Sequence, residues 1–129
     1  MTIEYAHSVK LLHKNDEPIV WFVVTMFLRE GKDGFSMVHD RAPGFFFTEE
    51  EAVECITKNY GDIYECGYYN YALAQPMKAG LYHSLHEKNR WFRAEWAKKD
   101  AHPQQASYIV TELSAPPKGF ERVCGFVVG

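Results

Sequence analysis

Cysteine is scarce: the 129 residues hold three, Cys55, Cys66 and Cys124, an odd number with no CxxC pair. That spacing argues against a disulfide framework and against a zinc site, and makes a reducing cytoplasm the expected compartment. Long apolar runs are missing as well. The longest is about ten residues, where a membrane-spanning helix takes about twenty. The stretch Met1 to His7 carries a glutamate in place of the apolar core of a signal peptide, so neither membrane insertion nor secretion is expected. Positive charge is not in surplus: 14 Lys and Arg face 17 Asp and Glu, giving a net charge of -3 and a pI of about 6.0. General binding to a phosphate backbone is disfavoured, while a local basic pocket is still allowed. Glycine-rich phosphate loops of Walker or Rossmann spacing, internal repeats and low-complexity segments are all absent.

What the chain has is apolar and aromatic residues. At 47% hydrophobic and 24% charged the composition is globular, and the length accommodates one domain over residues 1–129 rather than two. An aromatic share of 16% exceeds what a small core needs and points to rings at an interface or a ligand pocket.

Thr2 to His13 reads as a strand, and Lys14-Asn15-Asp16-Glu17-Pro18 as a turn. Ile19 to Leu28 is β-branched and aromatic with almost no polar alternation, which predicts a strand buried on both faces of its sheet. Phe35 to His39 returns as a further strand after the turn Arg29 to Gly34. Thr48-Glu49-Glu50-Glu51 is a capping box, and Ala52, Val53, Ile56 and Tyr60 repeat at helical spacing, with Gly61 expected to close the helix. Gly67 to Ala74 reads as a strand stopped by Gln75-Pro76, with Tyr69 and Tyr71 on one face. Gly80 to Asn89 reads as a loop. Trp91 to Trp96 and Tyr108 to Leu113 read as a strand pair joined by Lys98 to Ala106, followed by a stop at Pro116-Pro117, a turn of helix carrying Phe120, and a tail through Gly125 to Val128. The fold class is α+β: an antiparallel sheet with one main helix packed on one face. The other face is expected to meet a second subunit in an oligomer, or else the C-terminal hairpin of the same chain.

Candidate catalytic groups have simpler explanations. His83 and His86 beside Glu87 supply two metal ligands without a clear third. Glu49, Glu50 and Glu51 are accounted for by the capping box and the helix dipole. Cys55 shares the apolar helix stripe. No catalytic residue, metal or cofactor is expected. Binding chemistry is better represented, in Asn89-Arg90-Trp91-Phe92-Arg93 with Tyr82 upstream. In a strand, Trp91 and Arg93 share a face and Phe92 takes the other, so a ring and a guanidinium address one ligand. The alternative is Trp91 in the core with Arg93 lying over it. Arg29 and Arg41 flank the neighbouring turns, and their value lies in convergence.

The strings Phe46-Phe47-Thr48-Glu49-Glu50-Glu51-Ala52-Val53-Glu54-Cys55-Ile56, Asn59 to Glu65, Tyr68 to Ala72, Gly80-Leu81-Tyr82, Trp91-Phe92 and Cys124-Gly125-Phe126 resemble a family of small proteins from phages and Firmicutes, the phage Thoeris anti-defence sponge proteins of the first type. The resemblance covers residues 45 to 129. It implies a non-enzymatic, cytoplasmic homo-oligomer in the infected host cell that sequesters cyclic ADP-ribose signals, in some members also cyclic oligonucleotides, without cleaving them. Ligands in that family are held by arginines and an aromatic ring. By residue type the ligand-binding candidates here are Arg29, Tyr82, Asn89, Arg90, Trp91 and Arg93. A phage-encoded inhibitor or adaptor that binds a protein and no small molecule is the alternative.

Overall fold

The apolar run from Ile19 is extended through Gly31 as β1 in the computed structural model, which describes residues 18–78, 83–84, 86–96 and 108–121. A two-residue turn returns the chain as β2, Gly34–Phe46. This strand is longer than the expected Phe35 to His39 because two register shifts hide its periodicity. Between Val23↔Gly44 and Thr25↔Arg41 it fits three steps against two. Between Phe27↔His39 and Leu28↔Met37 it fits two against one, leaving Val38 as the extra residue. Bulges and Pro43 within an edge strand blunt its tendency to pair with another chain.

Helix α1, Glu49–Lys58, starts where the capping box places it. The Thr48 hydroxyl accepts from the Glu51 amide at 3.2 Å and donates to the Glu51 carboxylate at 2.9 Å. Glu51 thus reaches back to the cap hydroxyl, where the sequence pattern predicts the cap amide. The helix stops two residues earlier than expected because Asn59 takes the left-handed position (φ 52), with Gly61 (φ 64) in the 3-10 turn Tyr60–Asp62 that follows. Asn59 fits there because its own carboxamide oxygen accepts from the Tyr64 amide at 3.1 Å, offsetting the cost of the backbone conformation.

After a second 3-10 turn, Glu65–Gly67, the remaining strands are β3 (Tyr71–Lys78), β4 (His83–Ser84), β5 (Arg90–Trp96) and β6 (Tyr108–Glu112), with a 3-10 turn at His86–Lys88. The sheet is antiparallel in the order β2-β1-β3-β5-β6, and β4 pairs β3 off that path. Pro76 does not end β3. It lies between the last β5 pair, Ala74↔Arg90, and the first β4 pair, Met77↔Ser84, so on that side a missing amide donor leaves no ladder bond unmade.

Each face of the sheet carries a buried cluster, as the unbroken apolar β1 predicts. On one face Trp21, Val23, Ala72, Ala74, Phe92 and Ala94 pack against Ala52, Cys55 and Ile56 of α1 and against Ile63, Tyr64 and Tyr69. Burial of an Ile56-sized side chain stabilises by about 1.5–3 kcal/mol. Tyr64 is fully buried and donates to the Ile56 carbonyl at 2.9 Å. The opposite face gathers Val24, Met26, Leu28, Tyr71, Leu73 and Trp91, with Phe35, Ala42, Leu113 and Phe120 packed on it. Among the described residues, part of that face is thus covered by the segment after β6. Tyr69 and Tyr71 lie on opposite sides of the sheet, contrary to the same-face expectation, since Tyr69 precedes the strand and its amide bonds the Tyr64 carbonyl at 3.1 Å. Tyr60, placed by spacing in the helix stripe, is half exposed and bonds Glu54. The expected first strand and its turn, the Lys98 to Ala106 connection and the tail from Gly125 lie outside the described residues.

Candidate functional site

β5 begins at Arg90, opposite Ala74 of β3, and strand alternation sends Trp91 to one face and Phe92 to the other. The two residues accordingly belong to different cores. Arg90 points to the helix side. Its Nη1 donates to Glu49 Oε1 at 2.7 Å, its Nε to Glu112 Oε2 at 2.8 Å and its Nη2 to Glu112 Oε1 at 2.6 Å. The guanidinium also sits 5.8 Å from the Phe92 ring centroid, close enough for a cation–π contact. One side chain therefore ties the start of α1, the start of β5 and the end of β6.

A cleft of about 520 Å³ opens beside this junction, lined by Asn89, Arg90, Trp91, Glu112, Leu113, Ser114, Ala115 and Pro116. Its volume falls within the roughly 300–1,000 Å³ of small-molecule sites. The Leu113 amide bonds the Trp91 carbonyl at 2.8 Å, which fixes the far wall to the near one. Two carboxylates against one guanidinium leave the immediate surroundings of Arg90 with a net charge of −1. The paired Arg90 holds the Glu112 carboxyl below its ordinary range, and Glu112 and Glu49 raise the guanidinium's pKa in turn, against partial burial. A carboxylate so held is a weak base at neutral pH. No histidine lines the cleft among the described residues.

Three of the six sequence candidates, Asn89, Arg90 and Trp91, thus meet at one cleft. Arg29 and Arg93 do not line it. Trp91 itself is 3% exposed and meets Phe120 edge-on with ring centroids 5.8 Å apart, so it serves as a core wall. Arg93 pairs across the strands with Tyr71, on the Trp91 face, and its guanidinium bonds Glu95 at 2.9 Å. Arg29 stands opposite Ser36 near the β1–β2 turn, exposed. Arg41 is bound by Glu65. Tyr82 lies outside the described residues, as do the side chains of His83 and His86. Among the described residues, no three His, Cys, Asp or Glu side chains are placed to hold a metal ion, and no helix is long and apolar enough to cross a membrane.

Sequence reasoning missed Glu112 and the Leu113–Pro116 wall. It read Glu49 only as a helix-start residue, and Pro116-Pro117 only as a stop. A second feature it did not locate is an aromatic patch. Phe22 and Phe45 rings lie 5.6 Å apart and Phe45 and Phe47 rings 6.0 Å apart, with Phe45 55% and Phe47 75% exposed.

No family model matches the chain, and comparison with characterised proteins and with solved structures finds no significant match.

Proposed function

We propose that this protein is a non-catalytic binder that sequesters a small cyclic nucleotide signal, of the cyclic ADP-ribose or cyclic oligonucleotide class, in the cytoplasm of a phage-infected cell. The observation that carries the reading is the meeting of Asn89, Arg90 and Trp91 in one cleft beside Glu112 to Pro116. The ligand class comes from the resemblance to the Thoeris anti-defence sponge proteins. Ion pairing of Glu112 favours binding over chemistry, because a carboxylate committed to Arg90 has little tendency to move protons. Sequestration needs slow release and a shielded ligand.

Thermal unfolding with and without cyclic ADP-ribose isomers and cyclic di- and trinucleotides tests it. A ligand that binds the native state raises Tm by an amount that grows with the logarithm of its concentration relative to Kd. A rise of several degrees with one of these ligands is expected, and an unchanged Tm across all of them contradicts the reading.

A second reading, an inhibitor or adaptor that binds a protein, is favoured by the exposed rings of Phe45 and Phe47. Self-association, part of the sponge reading, would draw on the same patch. Light scattering of wild type and Phe47→Asp separates them. A wild-type oligomer that becomes monomeric in the variant assigns the patch to self-association, whereas an unchanged mass leaves it to another partner.

A further inference from the structure

We propose that the Phe45 and Phe47 rings and the acidic first turn of α1 beside them form one docking surface, which takes a basic, apolar peptide segment of another protein. This rests on the second reading above, in which the patch meets a protein, and it supplies the chemistry of that partner. The rings stand in a row. Phe22 and Phe45 centroids lie 5.6 Å apart at 47°, and Phe45 and Phe47 centroids 6.0 Å apart at 85°. Phe47 is 75% exposed, so its ring is open to an aliphatic side chain or to a cation.

Phe47 immediately precedes the cap Thr48, which puts the rings at the N-terminal end of α1, where Glu49, Glu50 and Glu51 form the first turn. Glu49 is engaged by Arg90 and Glu51 by the Thr48 hydroxyl. Glu50 is exposed and makes no hydrogen bond or ion pair among the described residues. Three carboxylates outweigh one guanidinium, which Glu112 shares, together with the roughly half a positive charge of a helix N-terminus. The turn is therefore negative, and charge selects the occupant. A two-fold pairing of copies through this patch would bring like acidic turns together. An anionic lipid surface would be repelled for the same reason. Register shifts interrupt β2, and Pro43 lacks an amide donor, so side chains hold the partner rather than backbone pairing along that edge. A segment that carries arginine beside leucine satisfies both parts of the surface. Its apolar side chains cover the rings, while a guanidinium pairs with Glu50 and lies over the Phe47 ring.

Fluorescence anisotropy of the full chain with three short labelled peptides tests this: one of leucine and arginine, one of leucine and glutamate, one of serine and arginine. The leucine–arginine peptide is expected to bind saturably, about tenfold or more tighter than either of the others, and to weaken as salt screens the exposed charges. Phe47→Ser and Glu50→Lys, both at exposed side chains, should each weaken it about fivefold or more while Tm stays within a few degrees of wild type. Leucine–arginine binding that both variants keep at wild-type strength overturns the proposal, because the peptide then sits elsewhere. If the leucine–glutamate peptide binds more tightly and needs Phe47, the patch is a protein surface and its assignment to a basic partner falls. If no peptide binds, the docking reading falls with the proposal. A wild-type oligomer that Phe47→Ser turns into monomers gives the patch to a second copy, and cosedimentation with phosphatidylcholine vesicles that Phe47→Ser abolishes gives it to lipid. Either result overturns the proposal.

Discussion

Arg90 and Glu112 meet in a two-point ion pair, Nε to Oε2 at 2.8 Å and Nη2 to Oε1 at 2.6 Å, between the first residue of β5 and the last of β6. The pair closes one end of a strand pair whose register runs from Phe92↔Glu112 to Trp96↔Tyr108, and it floors the cleft. The Glu112 side chain is 43% exposed, so solvent screening reduces what its charge contributes. Replacement by glutamine should cost about 0.5–1.5 kcal/mol at neutral pH, read by urea unfolding. The folded-state pKa of Glu112 lies below its ordinary value of 4.5. Its contribution is therefore complete above that ordinary value and is lost as pH falls through the depressed one. The stability gap between wild type and Glu112→Gln should be flat from pH 7 to about 5 and should narrow in more acid solution. A gap that instead widened in acid would contradict the pairing.

Asn70 and Leu28 offer a different test. The Asn70 carboxamide donates to the Leu28 carbonyl at 3.0 Å and accepts from its amide at 2.9 Å, satisfying both backbone groups of Leu28 beyond the last β1–β3 pair, Met26↔Tyr71. Asn70→Ala leaves a buried residue's backbone without these partners and should cost about 1–3 kcal/mol. A loss below about 0.5 kcal/mol would mean that water replaces the side chain without penalty.

Cys66 is exposed yet should react slowly. Its thiol donates to Asp62 Oδ2 at 3.3 Å and its amide bonds the same carboxylate at 3.2 Å. The hydrogen bond to Asp62, then the charge of that carboxylate, hold the thiol above its ordinary pKa. Because the thiolate is the nucleophile, alkylation of Cys66 by iodoacetamide at pH 8, followed by mass spectrometry of its peptide, should run about threefold or more slower than for a free thiol. Asp62→Asn removes the charge and keeps a residue type that tolerates the left-handed backbone at this position (φ 52). It should accelerate the reaction. Equal rates in wild type and variant would contradict the interaction.

The local features of this fold were legible in the sequence, and the long-range ones were not. The helix start follows from Thr48 and Glu51, three residues apart, and the opposite faces of Trp91 and Phe92 follow from strand alternation alone. Both rest on near neighbours. The role of Arg90 depends on Glu49 and Glu112, separated from it by 41 and 22 residues, and no local pattern brings them together. β2 was only partly legible because its two bulges break the alternation that marks a strand. The early stop assigned at Pro76 failed for a related reason: a proline is tolerated where the neighbouring strand has ended, and that depends on the partner's length. The candidate site was half legible, since residue type selected Asn89, Arg90 and Trp91 but concealed that carboxylates already engage the arginine.

The most direct test of the central claim is isothermal titration of the purified protein with cyclic ADP-ribose isomers and cyclic di- and trinucleotides, followed by heat denaturation and analysis of the released ligand. Sequestration predicts a nanomolar Kd for at least one of them and its recovery unaltered. No binding to any, or recovery of a cleaved product, would contradict it.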